Sequence, residues 1–410
     1  MKHSGISWIG EIPKEWGKKR LKYLCSIQTG NSDTQNADDN GIYPFYVRSP
    51  YIEKSNDYSF DGEGVLMAGD GVGAGKVFHH AFGKYAVHQR VYRLAEFVNI
   101  HTDYLFYYIS NLFCKVMDMG SAQSTVPSVR LPMLTNFIVC IPSFIEQQKI
   151  ASFLDRKCSE IDEMVVLQEK IIEELKAYKQ SVITEAVTKG LKPDVPMKDS
   201  GIEWIGEIPE NWEVKRLKQV LLSPLQYGAN ESGILYNDNL PRYVRITDIL
   251  DNSLKDNIEK QSLTEEQAKG YILKHNDILF ARSGGTVGKS FIFDEKYGRC
   301  AFAGYLIKAC VNDMMNAKYV YYFTQTTCYD EWKKQIFIQS TIQNIGADRY
   351  SQLQLCIPPL SEQQSIASYL DEKCSEIDSL INIKQSKIES LKEYKKSIIY
   401  EYVTGKKEVE

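Results

Sequence analysis

Apolar side chains recur every seven residues along two long stretches of the chain. In the first, Leu154, Ile161, Leu175 and Val182 share one register with Gln168; in the second, Leu370, Ile377, Leu391 and Ile398 share one with Lys384. A companion register holds Met164, Ile171 and Tyr178 in the first stretch and Leu380 and Tyr394 in the second. Stripes of this spacing predict two helices that pair as a coiled coil. Pro142, and Pro358 with Pro359, disfavour helix just before each stretch and place the starts near Ser143 and Ser361. The pattern then runs to about Thr188 and Thr404, about 43 residues or roughly 64 Å of helix. Polar Gln168 and Lys384 interrupt both stripes at one place; they either fix register or leave the seam partly open.

The remaining chain is patterned differently. Short alternating apolar runs at 64–67, 85–94 and 277–281 predict strands, and three-to-four spacing at 102–117 and 317–334 predicts one helix in each half. The two halves are copies. Residues 141–162 and 357–378 agree at 16 of 22 positions, as do residues 1–22 and 197–218. The expected fold is therefore α+β: two tandem modules of mixed or antiparallel sheet with helices, separated by two long helices packed as an antiparallel coiled coil with pseudo-two-fold symmetry. Boundaries fall at 1–143 and 191–359 for the modules, the latter with its linker, and at 144–190 and 360–410 for the helices. The short linker after Gly190, stiffened by Pro193 and Pro196, enforces the antiparallel return and brings the C-terminus back near Met1.

Charge narrows the function less than the duplication does. Net charge is -4, with 14 basic and 13 acidic residues in 1–143 and 19 and 20 in 197–359, so neither module is basic in bulk. A DNA-gripping face must be arranged locally or completed by a partner. The nine cysteines are scattered without a C-x-x-C pair, which argues for reduced thiols; Cys140, Cys356, Cys158 and Cys374 recur at matching places and suit packing. The absence of a long uncharged apolar run or a signal-like start predicts a cytoplasmic protein without membrane contact.

Catalytic chemistry is hard to find. The stretch 283–290 (SGGTVGKS) resembles a phosphate loop but has Ser283 where glycine is required, its counterpart begins with Asp70, and strand rather than helix follows. A glycine turn carrying Arg282, Lys76 and Lys289 toward a nucleic-acid backbone, or a plain turn, fits better. The six histidines lack zinc-site spacing, no metal site is expected, and no nucleophile elbow or methyltransferase tetrapeptide occurs. Lys19, Arg20, Lys215 and Arg216 are lesser phosphate candidates beside two tryptophan anchors. Candidate DNA contacts are Arg48, Lys76, Arg90, Gln123, Ser124 and Arg130 in the first module. In the second they are Arg245, Arg282, Lys289, Gln339, Ser340, Gln343, Asn344 and Arg349. Gln and Asn pair with adenine and Arg with guanine in the major groove, although capping and turn formation explain such residues equally well.

The repeated G-I-x-W-I-G-E-I-P and I-P-x-x-x-E-Q-x-x-I-A-x-x-L-D blocks, with the Tyr-Val-Arg triplets and Asn276-Asp277-Ile278-Leu279, resemble the specificity subunit of type I restriction-modification enzymes over the whole length. The resemblance implies a non-catalytic reader of double-stranded DNA, each module taking one half of an asymmetric bipartite target, with the long helices as ruler and docking surface. It implies two methyltransferase subunits and further restriction subunits as partners, with S-adenosylmethionine, ATP and Mg held there and no cofactor on this chain. The copies differ at Gly69-Asp70 against Arg282-Ser283, which puts a shared contact by Arg282 in doubt for the first half-site. A recognition subunit for a fused nuclease-methyltransferase, or a coiled-coil scaffold without DNA binding, are the alternatives.

Overall fold

A computed structural model describes residues 1–120, 127–250, 253–338 and 344–409. The chain forms two compact units: Met1–Glu169 with Gln385–Glu410, and Lys170–Lys384. Each therefore combines one module with the start of its own long helix and the end of the other copy's.

In the first unit, an antiparallel sheet runs in the order Ser26–Thr29, Val91–Ala95, Gly64–Ala68, Phe78–Ala81. A second sheet places Lys84–Val87 between Tyr43–Tyr46, to which it is parallel, and Phe60–Asp61. The apolar run at 85–94 is thus two strands in different sheets. Its alternation hides a turn at His88–Arg90, where the buried His88 ring accepts from Arg90 N through Nδ1. The helix Thr102–Gly120 follows, as its spacing predicts. Gly17–Arg20 pairs with Ile138–Ile141, bringing the N-terminal block beside the Ile-Pro that opens the long helix.

The second unit repeats this plan. Gln226–Tyr227, Leu306–Ala309, Ile278–Ala281 and Ser290–Ile292 form the antiparallel sheet, Arg242–Val244 lies parallel to Cys300–Phe302, and Glu213–Arg216 pairs with Gln354–Ile357. The single helix expected at 317–334 is instead two, Ala317–Phe323 and Thr327–Ile338. Threonines break it: Thr324 Oγ1 donates back to Tyr321 O, while Thr326 Oγ1 donates to Phe323 O and accepts from Tyr329 N, capping the next helix. Apolar spacing carries through the break because both pieces bury apolar residues in one core.

The long helices span Phe144–Lys189 and Leu360–Val403, 46 and 44 residues. Ser143 Oγ accepts from Glu146 N at the first start. The Glu-Gln-Gln motif ties each helix to its module. Glu146 accepts from Trp16 Nε1 at 3.1 Å, and Gln147 accepts from His101 N while donating to Pro142 O. Glu362 and Gln363 do the same with Trp212, Asn316 and Pro358. A buried tyrosine then joins each module to the far end of the other helix. Tyr104 OH is shared between Cys140 O at 2.8 Å and Val403 O at 3.1 Å; Tyr319 OH is shared between Cys356 O at 2.8 Å and Val187 O at 3.0 Å. The C-terminal segment accordingly packs on the N-terminal block, with Tyr400 OH donating to Trp8 O and Lys406 to Glu11 O.

Within each unit the paired helices run antiparallel, since rising numbers on one meet falling numbers on the other. The first unit shows Phe153 with Tyr402, Asp162 with Lys395 and Glu169 with Lys392; the second shows Lys179 with Asp378, and Gly190 beside Glu362. One stripe is the expected one: Leu154, Ile161, Leu370 and Ile377 are buried, and Leu175 and Leu391 are half-buried. The companion stripe is displaced by one residue. Cys158, Val165 and Ile172, and Cys374 and Ile388, are buried, whereas Met164, Tyr178, Leu380 and Tyr394 are exposed and Ile171 is half-buried. A stripe can be completed by a step of three or four, and apolar residues stand at both steps at Met164 and Val165, Ile171 and Ile172, and Leu380 and Ile381, whereas Lys157, Lys373 and Lys387 stand at the step of three elsewhere. Packing takes the step of four because Cys158 and Cys374 are small enough to sit against the modules. Lys179 and Lys395 then complete it with their aliphatic stems, their ammonium groups reaching Asp378 and Asp162 at 2.7 and 2.6 Å. Gln168 is buried and its Oε1 has no hydrogen-bond partner among the described residues; Lys384 is half-buried.

Ile172→Ala should therefore destabilise the protein by about 2–4 kcal/mol, whereas Tyr178→Ala should change stability by no more than about 0.5 kcal/mol, measured by denaturant unfolding of the full chain. Tyr104→Phe, which removes the proton shared by the carbonyls of Cys140 and Val403, should cost about 1–3 kcal/mol in the same measurement.

Candidate nucleic-acid interface

The site in the first unit begins with a loop opened by a closely packed glycine. Between strands Gly64–Ala68 and Phe78–Ala81, Gly69 N donates to Arg90 O, and Gly69 O accepts from Val129 N at 2.7 Å. A Cβ on Gly69 would meet Arg90 O at 2.8 Å and the Tyr92 ring at 3.1 Å, so a side chain here would press on the neighbouring strand of this module. Asp70 bridges to Ser128 and Gly71 N donates to Pro127 O, which lays residues 127–129 along the loop. A strand follows this loop, so it is a turn of the sheet and not a phosphate cradle ahead of a helix.

The loop carries a compact ionic group. Asp70 accepts from Arg48 Nη1 at 2.9 Å through one carboxylate oxygen and from Arg90 Nη1 at 2.5 Å through the other. Burial pushes the Asp70 carboxyl up, but the two guanidiniums outweigh it and hold the group below the usual carboxylate range. Gln89 donates to Asp33 beside it. His88, buried beneath, is held below the ordinary imidazole range first by burial and then by the Arg48 charge; His79 is lowered mainly by burial. Lys76 is exposed on the loop's return, and Arg130 is exposed just after its partner segment.

The second unit keeps the backbone frame and changes the side chains. Arg282 N donates to Tyr305 O, Arg282 O accepts from Ile345 N, and Ser283 bridges to Asn344. These bonds align Arg282 with Gly69, Ser283 with Asp70, Tyr305 with Arg90 and Asn344 with Ser128. The Arg282 guanidinium lies 5.0 Å from the Tyr227 ring centre, and the Tyr227 hydroxyl accepts from Ala347 N at 2.9 Å. Asn344, Lys289 and Arg349 are exposed around this group.

Of the sequence candidates, the structure thus brings Arg48 and Arg90 together, and Arg282 to the strand that holds Asn344. It sets Arg245 apart: its guanidinium is spent on the buried Asp248 at 3.0 Å and on Glu259 O. Gln123, Ser124, Gln339, Ser340 and Gln343 lie outside the described residues. Asp70, Tyr227 and Tyr305 were not anticipated. The signal for Asp70 was its intrusion at the head of the glycine run; Tyr227 and Tyr305 carried none, since tyrosine is equally a core residue. Among the described residues no group of three or more metal-ligating side chains is assembled, and no helix is long and apolar enough to cross a membrane.

Two α+β modules that present different polar groups on one shared loop frame, each docked on paired long helices, make up a tandem recognition protein. Its relatives are of that kind. The family described as type I restriction modification DNA specificity domain matches residues 13–177 and 209–393, and the chain belongs to it, as a specificity subunit with two target recognition domains. The EcoDI type I specificity subunit of Escherichia coli is 25% identical over 394 residues, 90% of this chain and 84% of that protein. The MjaVIII specificity subunit of Methanocaldococcus jannaschii is 25% identical over 437 residues, covering 96% and 93%. A chain solved in work on complex assembly and conformational transition of the type I R-M system shares the fold with TM-score 0.71 at 14% identity, covering 96% of this chain and 99% of that one. The HsdS subunit from Thermoanaerobacter tengcongensis gives TM-score 0.50 at 14% identity, covering 99% and 100%.

Both lowered histidines bind fewer protons folded than unfolded between their native pKa values and the ordinary 6.5. Stability is then fully present above about pH 6.5 and falls as pH drops below it. The melting temperature should decline from pH 7 to pH 5.5, and His79→Gln with His88→Gln should flatten that decline. A pH-independent melting temperature in the parent chain would contradict the assignment.

Proposed function

We propose that this chain directs the methyltransferase and restriction subunits of a type I system to an asymmetric, bipartite sequence in double-stranded DNA, one module reading each half-site. The observation that supports this most is the contrast on a common frame. The same backbone bonds hold Gly69, Asp70, Arg90 and Ser128 in one module and Arg282, Ser283, Tyr305 and Asn344 in the other. A frame kept constant while its outward groups change is what separate sequence preferences require, because phosphate contacts position a reader and base-edge contacts give it specificity. Lys76, Lys289, Arg130 and Arg349 are exposed cations placed for the positioning part.

The catalytic cofactors, S-adenosylmethionine and ATP with Mg, belong in this reading to the partners. The partners dock on apolar side chains that the helix pairing leaves uncovered: Met164, Val166 and Leu167 in the first unit, and Leu380 and Ile383 in the second. Exposed aliphatic positions on a helix already paired along another face suit a further helix.

Exchanging residues 23–140 for the matching segment of another specificity subunit should change one half of the recognised sequence and leave the other half and the spacer unaltered, read by mapping modified adenines in a host that expresses the complex. A change in both halves would defeat the modular assignment. Purified complex that shifts its own target and random duplex equally at 150 mM salt would instead favour a scaffold without sequence reading.

A further inference from the structure

Arg48 lies just after the strand Tyr43–Tyr46 and Arg90 in the turn His88–Arg90, and the two meet at Asp70. The side chain of Asp70 is 15% exposed, whereas those of Arg48 and Arg90 are 42% and 62% exposed, so the acid is covered and the guanidiniums face outward. Each spends Nη1 on Asp70, and its remaining N–H groups have no partner among the described residues. The trio carries one net positive charge where two arginines alone would carry two. A phosphate oxygen that approaches either guanidinium meets the carboxylate's repulsion as well, which makes this a poor place for backbone binding. A neutral pair of acceptors meets no such opposition. Guanine offers one in O6 and N7, which take a guanidinium fork side-on in the major groove. The carboxylate also removes rotamer freedom that each arginine would otherwise lose on binding.

Resting on the proposal that this module faces DNA, we infer that Asp70 is a positioning residue that holds Arg48 and Arg90 as a paired edge selecting guanine in the first module's half-site. The second module lacks the device. Ser283 occupies the place of Asp70, Tyr305 that of Arg90, and Arg245, the counterpart of Arg48, is locked onto Asp248. Its half-site is met instead by the single guanidinium of Arg282 braced on Tyr227. The carboxylate therefore acts on one half of the target only.

The test uses the full chain with a methyltransferase subunit of its system, and duplex DNA randomised at both half-sites, with the first module's half assigned by the exchange of residues 23–140. The parent should select guanine at one or two positions of that half. Asp70→Ala should lower that selection about 10-fold or more and leave the other half unchanged. Arg90→Lys keeps the cation without the fork, so it should lose guanine selection while total duplex binding stays within about 2-fold. Should Asp70→Ala lower the melting temperature, the Arg90→Lys and Arg48→Lys arms decide. The inference is overturned if the parent selects no guanine there, if the variants leave selection unchanged, or if they weaken binding to all sequences alike, which marks a phosphate site. A parent complex that discriminates no sequence at all overturns the DNA-reading proposal as well, and so is told apart from these.

Discussion

One buried hydroxyl in each unit decides how the chain is put together. Tyr104 and Tyr319 each lie fully buried with the phenol oxygen between two backbone carbonyls, one ending the last strand of a module and one in the final turn of a long helix. A helix leaves its last carbonyls without partners, and a buried tyrosine needs a partner for its proton; each problem solves the other. Desolvation holds both phenols far above the usual tyrosine range, so the proton stays in place at any pH the protein meets.

The Glu-Gln-Gln motif supplies the other half of that attachment. Glu146 and Glu362 each hold a tryptophan indole, and Gln147 and Gln363 each satisfy a backbone N–H at the start of a module helix and a proline carbonyl nearby. The glutamine side chains are long, unbranched and able to donate and accept, which a helix start packed on a loop demands, while the glutamates only accept. Once a module is gripped at both places, its sheets face outward with freedom to vary. The loops that begin at Gly69 and Arg282 differ in what they carry because only their backbone bonds are needed for the sheet.

The ionic group of the first module shows how a neutral-looking composition serves recognition. Balanced charge counts in each module conceal arrangements in which an acid orients cations instead of merely cancelling them. Asp70 does this for Arg48 and Arg90, whereas Asp248 withdraws Arg245 from any outward role by burying the carboxylate beneath it. The same residue types, at the same sequence position in two copies, thus have opposite availability.

The duplication, the long helices with their starts at Ser143 and near Ser361, the strand character of 64–67 and 277–281, and the failure of the Gly-Lys-Ser loop as a phosphate cradle were all legible from residue order. Each rests on local rules: proline geometry, apolar period, and the residue that follows a turn. The choice between Met164 and Val165, or Leu380 and Ile381, was not legible, because one apolar stripe admits a step of three or four and only the bulk of the facing modules settles which side is covered. Nor was the break at Thr324–Thr326, since local threonine hydrogen bonds leave the apolar spacing intact. The candidate arginines could be named but not sorted. Sequence determined that Arg48, Arg90, Arg245 and Arg282 were present; tertiary structure decided which guanidinium meets an acid below it and which meets solvent, because Arg48 and Asp70 are more than twenty positions apart, and because Arg245, although only three positions from Asp248, is held by a carboxylate that the fold of the module buries.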